Sequence, residues 1–182
     1  MFFQLAVLIF CLMITISIVI DAMRNGITPT PSSATAVSAI INYLKRQNTT
    51  HKTIYDLGSG WGNLVFPIAR IFPSASVIGI ENALIPYLYC KGRNALARKH
   101  IHFSYKNMYQ ADLSDTDYII CYIHRRGMEK LKAQFQQQLK PGCIIISHFF
   151  TIPGWTPTET IELHDWQRTK IYIYHYKRSV EN

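Results

Sequence analysis

Apolar residues fill the chain from Phe2 to Ile20, interrupted only by Gln4, Thr15 and Ser17. As a helix this run spans about 28 Å, enough to cross a hydrocarbon core. Asn25 to Ser33 then turns polar and rich in Gly, Pro, Ser and Thr, the composition of a linker. A helix is expected from Ser32 or Ser33, whose side chains cap free N–H groups. Val37, Ile40, Ile41 and Leu44 give it one apolar face, and Lys45 and Arg46 suit its last turn.

Short apolar runs and helical periodicities alternate after that. Strands are expected at 53–57, 76–80, 101–104, 118–123 and 143–149. Helices are expected at 63–72, 84–99 and 127–139, the first stopped by Pro73 and the last by Pro141-Gly142. After the Pro153-Gly154 turn, 160–166 and 170–176 read as a closing hairpin. Its second half alternates, with Ile171 and Ile173 on one face and Tyr172, Tyr174 and Tyr176 on the other. Repeated β-α-β with apolar strands predicts an α/β domain: a mostly parallel twisted sheet covered on both faces, closed by an antiparallel hairpin. The expected organisation is an anchor at 1–22, a linker at 23–33 and one domain at 34–182.

The leader reads as an uncleaved transmembrane anchor rather than a signal peptide. No basic n-region precedes it, and Ile18 to Met23 offers no small-x-small cleavage site. Arg24 and a basic domain follow it, so the positive-inside rule places the domain in the cytoplasm or an organelle matrix. A formal charge of +8 favours an acidic partner: nucleic acid, anionic lipid or acidic protein. Cys11, Cys90, Cys121 and Cys143 share no CxxC spacing, so neither a zinc site nor a disulfide framework is indicated. Asn48-Thr49-Thr50 is a glycosylation triplet of a kind frequent by chance.

The chemistry gathers at Asp56-Leu57-Gly58-Ser59-Gly60-Trp61-Gly62, between the first strand and its helix. Glycines there allow a tight turn and let a ligand approach bare backbone. The helix start adds free N–H groups suited to a carboxylate or phosphate. The next strand ends Gly79-Ile80-Glu81, its carboxylate placed to accept hydrogen bonds from ribose hydroxyls. A nucleoside-bearing ligand follows. The spacing departs from the dinucleotide fingerprint, with Asn63 where a third glycine belongs, and no GK[ST] follows for a P-loop.

The pattern D-x-G-x-G-x-G resembles motif I of the S-adenosylmethionine methyltransferases. Over roughly residues 25–176 the chain resembles the lysine methyltransferases that modify the c-subunit of ATP synthase, with their short prokaryotic relatives. The shared pieces are Pro29-Thr30-Pro31-Ser32, Asp56 to Gly62, Gly79-Ile80-Glu81, Asn107-Met108 and Asp117-Tyr118. To these are added Leu139 to Gly142, Ser147-His148-Phe149-Phe150 and Pro153 to Pro157. An N-terminal anchor is also a habit of that family.

The resemblance implies a Rossmann-like methyltransferase fold with S-adenosyl-L-methionine as cofactor. Asp56 and the loop with Gly58, Ser59, Gly60 and Gly62 would hold its methionine part, and Glu81 its ribose. Asn107 and Met108 would flank the adenine, Asn standing where an acidic residue is more usual. Cys121 to His124 would border the transferred methyl. Arg125-Arg126 stands where relatives often carry proline, which leaves substrate choice open. Tyr122, His124 and His148, at the ends of adjacent strands, are the catalytic candidates, each equally readable as a structural or substrate-shaping residue. Cys121 as a nucleophile is disfavoured, because it lacks the usual preceding proline.

The implied activity is protein-lysine N-methylation of a membrane-associated substrate. A lipid or small-molecule methyltransferase is one alternative, and an RNA methyltransferase using the basic stretch Lys91 to His102 is another. A non-enzymatic module that binds S-adenosylmethionine is the least favoured, given an intact loop. The D/N-P-P-Y/F sequence common in enzymes that methylate base amines or glutamine does not follow the fourth strand.

Overall fold

The structure is a computed structural model that describes residues 32–97, 101–165 and 168–177, with Phe2, Gln4, Leu5, Val7, Leu8 and Leu12 near the start. Most of the expected anchor, the linker up to Pro31, and Trp166 lie outside the described residues. Among the described residues, no helix is long and apolar enough to cross a membrane.

The element order is α1 (Ala34–Lys45), β1 (Thr53–Leu57), α2 (Val65–Ile71), β2 (Ser76–Glu81), α3 (Leu84–Ala97) and β3 (His102–Tyr105). A 3-10 turn (Met108–Gln110) leads to β4 (Tyr118–Cys121), α4 (Arg125–Gln138), β5 (Ile144–His148), β6 (Glu159–Glu162) and β7 (Lys170–His175). The strands form one sheet in the order β3-β2-β1-β4-β5-β7-β6. The first five are parallel; β7 runs antiparallel to both β5 and β6. The expected mixed sheet with a C-terminal hairpin is therefore present.

Period-two alternation sorts the strand residues between two cores. Tyr118, Ile120, Ile144, Ile146, Ile171 and Ile173 join α1 and α2 on one face. Ile119, Cys121, Ile145, Tyr174 and Tyr176 join α4 on the other. The tyrosine face of β7 is thus also covered, Tyr174 fully and Tyr172 in part, because α4 packs on that side.

Boundaries moved where capping or loop geometry overrides periodicity. Ser33, not Ser32, caps α1, its Oγ accepting from the Ala36 N–H at 3.1 Å. The helix expected at 63–72 starts at Val65, because Gly62 sits at φ +75° and postpones helical geometry. The fourth strand stops at Cys121, freeing Tyr122 and Ile123 to lead into α4. The strand expected at 160–166 is cut to Glu159–Glu162, since the chain then folds into a turn in which Thr169 donates from both N–H and hydroxyl to Asp165.

Candidate active site

The strand order reverses between β1 and β4, so the chain leaves those two strands in opposite directions across the sheet and opens a crevice at their C-terminal ends. The cavity there is lined by the carboxyl ends of β1, β2, β4 and β5. It brings together Asp56, Gly58, Ser59, Gly60, Glu81, Met108, Tyr122, His124 and His148 from distant parts of the chain. Gly62 and Asn107, also expected at the site, are not part of this wall.

Gly58, Gly60 and Gly62 all take positive φ: +77°, +51° and +75°. That conformation penalises a side chain, so the turn itself demands the repeated glycine. They do different jobs. A Cβ on Gly58 would point toward Ile123 and Met108 at the cavity. A Cβ on Gly62 would collide with the Phe66 ring at 2.6 Å, so this glycine serves helix packing rather than the cavity. Asn107 is likewise structural: its Oδ1 accepts from the Tyr109 N–H at 3.1 Å and caps the 3-10 turn that carries Met108.

Glu81 is fixed by backbone. Its Oε2 accepts from the Gly60 N–H at 2.6 Å, and its Oε1 from the N–H groups of Asn82 (2.9 Å) and Ala83 (2.8 Å). The glycine loop and the end of β2 are thereby tied into one unit. Asp56 is 5% exposed and Glu81 7%. Burial, reinforced by the Glu81 charge, pushes the Asp56 carboxyl from 3.8 up to about 7. Two buried carboxylates in one crevice call for a positive charge between them.

The opposite wall is aromatic. Tyr122 lies 4.6 Å from the His148 ring and 6.2 Å from the rings of Phe149 and Phe150, centroid to centroid. His148 is 5% exposed, and among the described residues neither ring nitrogen has a hydrogen-bond partner. Burial depresses its pKa below 6.5, with Asp165 opposing the shift, so the ring is neutral. His124 has a defined structural role, since its Nδ1 accepts from the Gly127 N–H at 3.0 Å and caps α4. An accepting Nδ1 leaves the proton on Nε2.

Cys121 is fully buried, and burial pushes its thiol to about 12. A thiolate there is unavailable at neutral pH, in line with the expectation that disfavours Cys121 as a nucleophile. Cys90 and Cys143 are also buried and free. Sequence reasoning missed Ser32, Asn63, Leu64, Asn82, Ala83, Ile120 and Phe150 as cavity-lining residues. Asn63, Leu64, Asn82, Ala83 and Ile120 adjoin motif residues and could have been found on that ground. Ser32 and Phe150 arrive only through tertiary packing.

S-adenosylmethionine suits this crevice on its own chemistry. It carries positive charge on its sulfonium and ammonium, the kind of charge a buried carboxylate such as Asp56 favours. The buried Ser59 Oγ, which has no hydrogen-bond partner among the described residues, offers a polar contact on the same wall.

The family model described as the ANTKMT methyltransferase domain matches residues 56–159. A protein-lysine N-methyltransferase of Saccharolobus islandicus (strain REY15A) is 28% identical over 131 residues, covering 66% of this chain and 77% of that protein. The Rattus norvegicus lysine N-methyltransferase named for the c-subunit of ATP synthase is 24% identical over 153 residues, covering 81% and 67%. The crystal structure of an RNA methyltransferase from Salinibacter ruber with S-adenosyl-L-homocysteine is similar with a TM-score of 0.72 at 24% identity, covering 84% of this chain and 98% of that one. Magnesium protoporphyrin IX methyltransferase (ChlM) from Synechocystis PCC 6803, with bound S-adenosylmethionine, gives 0.61 at 14% identity, covering 75% and 76%. With the glycine loop, the paired carboxylates and this sheet order already in view, the match over residues 56–159 places the chain in the ANTKMT methyltransferase family, as a class I S-adenosylmethionine-dependent methyltransferase.

Proposed function

We propose that this enzyme methylates the ε-amine of lysine in a protein substrate, and that the substrate is embedded in or close to a membrane. The observation that carries the reading is the crevice itself. A carboxylate pair and a glycine turn hold one wall, and an aromatic wall with a neutral imidazole faces them. Two relatives whose names specify lysine support the acceptor class. The apolar run from Phe2 to Ile20 supports the membrane setting, with the catalytic domain on the cytoplasmic or matrix side.

When bound, the cofactor supplies an electrophilic methyl group. The chain's own residues do the rest. Asp56 and the loop of Gly58, Ser59 and Gly60 hold the methionine end, Gly62 keeping that loop packed on α2. Glu81, already locked by three backbone N–H groups, receives the ribose. Met108, held in place by the Asn107 cap, packs beside the adenine. Ile123, Tyr122 and His124 border the path of attack, and Tyr122 and Phe150 keep water from it. A lysine entering this apolar wall is desolvated, which favours the neutral, nucleophilic amine.

The test is to incubate the full-length protein with methyl-labelled S-adenosylmethionine and detergent-solubilised host membranes, then separate protein, lipid and nucleic acid. Label in a small membrane protein, lost with Glu81→Ala, is the expected result. Label confined to lipid or RNA would retain the fold and cofactor but overturn the acceptor.

A further inference from the structure

The aromatic wall carries more than shape. Phe149 follows β5 at φ +73°, a left-handed backbone conformation that is rare for a bulky residue. The Phe150 N–H donates to the His148 carbonyl across it at 3.0 Å, a three-residue turn. Two further bonds hold this turn: the Phe149 N–H to the Lys170 carbonyl at 2.8 Å, and the Ser147 hydroxyl to the Phe150 carbonyl at 2.5 Å. Strain of this kind persists where the surroundings over-determine it, and it clusters at functional sites. Here it places the Phe149 and Phe150 rings 4.9 Å apart, both beside Tyr122. Register does the other half, since Cys121 pairs with Ser147 and so sets Tyr122 next to His148.

Within that wall His148 is anomalous. Buried polar atoms are nearly always hydrogen-bonded, yet both of its ring nitrogens lack a partner among the described residues while His148 lines the cavity. A ring needed only for packing would be better served by phenylalanine.

We propose that Tyr122, His148 and Phe150 form the acceptor pocket, with Phe149 packed behind them: an aromatic slot for the alkyl stem and amine of lysine, in which a His148 ring nitrogen receives the proton that the lysine ammonium must shed. This deepens the lysine reading above and rests on it. The ammonium gives one N–H proton to His148. The freed lone pair forms the N–C bond to the methyl carbon as the S–C bond breaks, its electron pair staying on sulfur. A protonated methylamine and a neutral thioether result, and His148 passes its proton to solvent. The amine and its alkyl stem suit this wall, aromatic faces being favourable to both. The ionisable groups around the ring are Tyr122 and His124 after β4, Asp56 and Glu81 across the cavity, Asp165 before β7 and Tyr172 beside the register partner Ile171.

His148→Phe tests the proton role while keeping an aromatic ring. With the lysine acceptor found by labelling, kcat/KM should fall by about 10²–10⁴-fold while affinity for S-adenosylmethionine stays as in wild type. Activity of the variant should recover steadily as pH rises, because solution then supplies the free amine. Phe150→Ala should instead act mainly on KM. A second readout needs no turnover. In protein saturated with S-adenosylhomocysteine, n-butylamine should shift the ring ¹⁵N resonances that His148→Phe removes, and butyltrimethylammonium, which lacks an N–H, should not. Full activity with an unchanged pH profile in His148→Phe, or no ¹⁵N response to the amine, would overturn the proposal. Failure of the lysine reading would look different: wild-type label would lie outside lysine while cofactor binding persisted.

Discussion

The two walls of the crevice are built by opposite means. The wall around the glycine loop is backbone: two left-handed glycines, Gly58 and Gly60, and a carboxylate tied down by three N–H groups. The aromatic wall is side chain: rings at and just beyond the ends of two strands brought together by register, around an imidazole with no hydrogen-bond partner among the described residues. A wall made of backbone serves one ligand common to a whole enzyme class. A wall made of side chains can be re-cut for each acceptor without disturbing the turn opposite. The contrast predicts that changes on the first wall abolish binding, whereas changes on the second redistribute rate and specificity.

The sharpest break is Gly58→Arg. Position 58 sits at φ +77° with its missing Cβ aimed between Ile123 and Met108, so an arginine fills the cavity. Calorimetric titration should detect no S-adenosylmethionine binding while circular dichroism retains the fold. Unchanged affinity would mean the ligand lies elsewhere.

Proton linkage at Asp56 comes next. Its folded pKa is raised from 3.8 to about 7, so between those values the folded state holds a proton that the unfolded chain has released. This contribution to stability is complete below the unfolded value and is lost as pH climbs through the folded one. A cationic ligand prefers the ionised carboxylate, so binding should expel that proton. Thermal shifts produced by S-adenosylmethionine should therefore grow as pH rises toward and past 7. Shifts independent of pH would remove Asp56 from contact with the ligand's charge.

Gly62→Ala separates the glycines of one motif. A methyl there meets the Phe66 ring and a strained φ, so the protein should lose about 1–3 kcal/mol in denaturant unfolding. Residual folded protein should still bind cofactor, unlike Gly58→Arg.

The smallest effect is on stability through the second wall. His124→Ala removes the α4 cap and should cost about 1 kcal/mol. An equal loss in His124→Asn, which can also cap, would show that the imidazole does something besides capping.

How much of this was legible depended on how locally it is encoded. Asp56 to Gly62 could be read because turn geometry and ligand approach both demand glycine at the same positions. The period-two pattern of Ile171 to Tyr176 could be read because a strand with both faces buried still sorts its residues between two cores. The dual nature of the glycine motif could not, since only the packing of Phe66 reveals that Gly62 serves α2. His124 stood out as a candidate beside the chemistry, but its hydrogen bond to Gly127 depends on where β4 ends, which the apolar run through Ile123 concealed. The aromatic wall was least legible. Tyr122 and Phe150 meet only because Cys121 pairs with Ser147 and a left-handed Phe149 turns the chain back.

Tandem mass spectrometry of the protein that acquires label from S-adenosylmethionine in the presence of this enzyme decides the acceptor atom. The added methyl is expected on a lysine ε-nitrogen, and absent with Gly58→Arg. A methyl on another side chain, on lipid or on RNA, from an enzyme that binds S-adenosylmethionine normally, would contradict the lysine assignment.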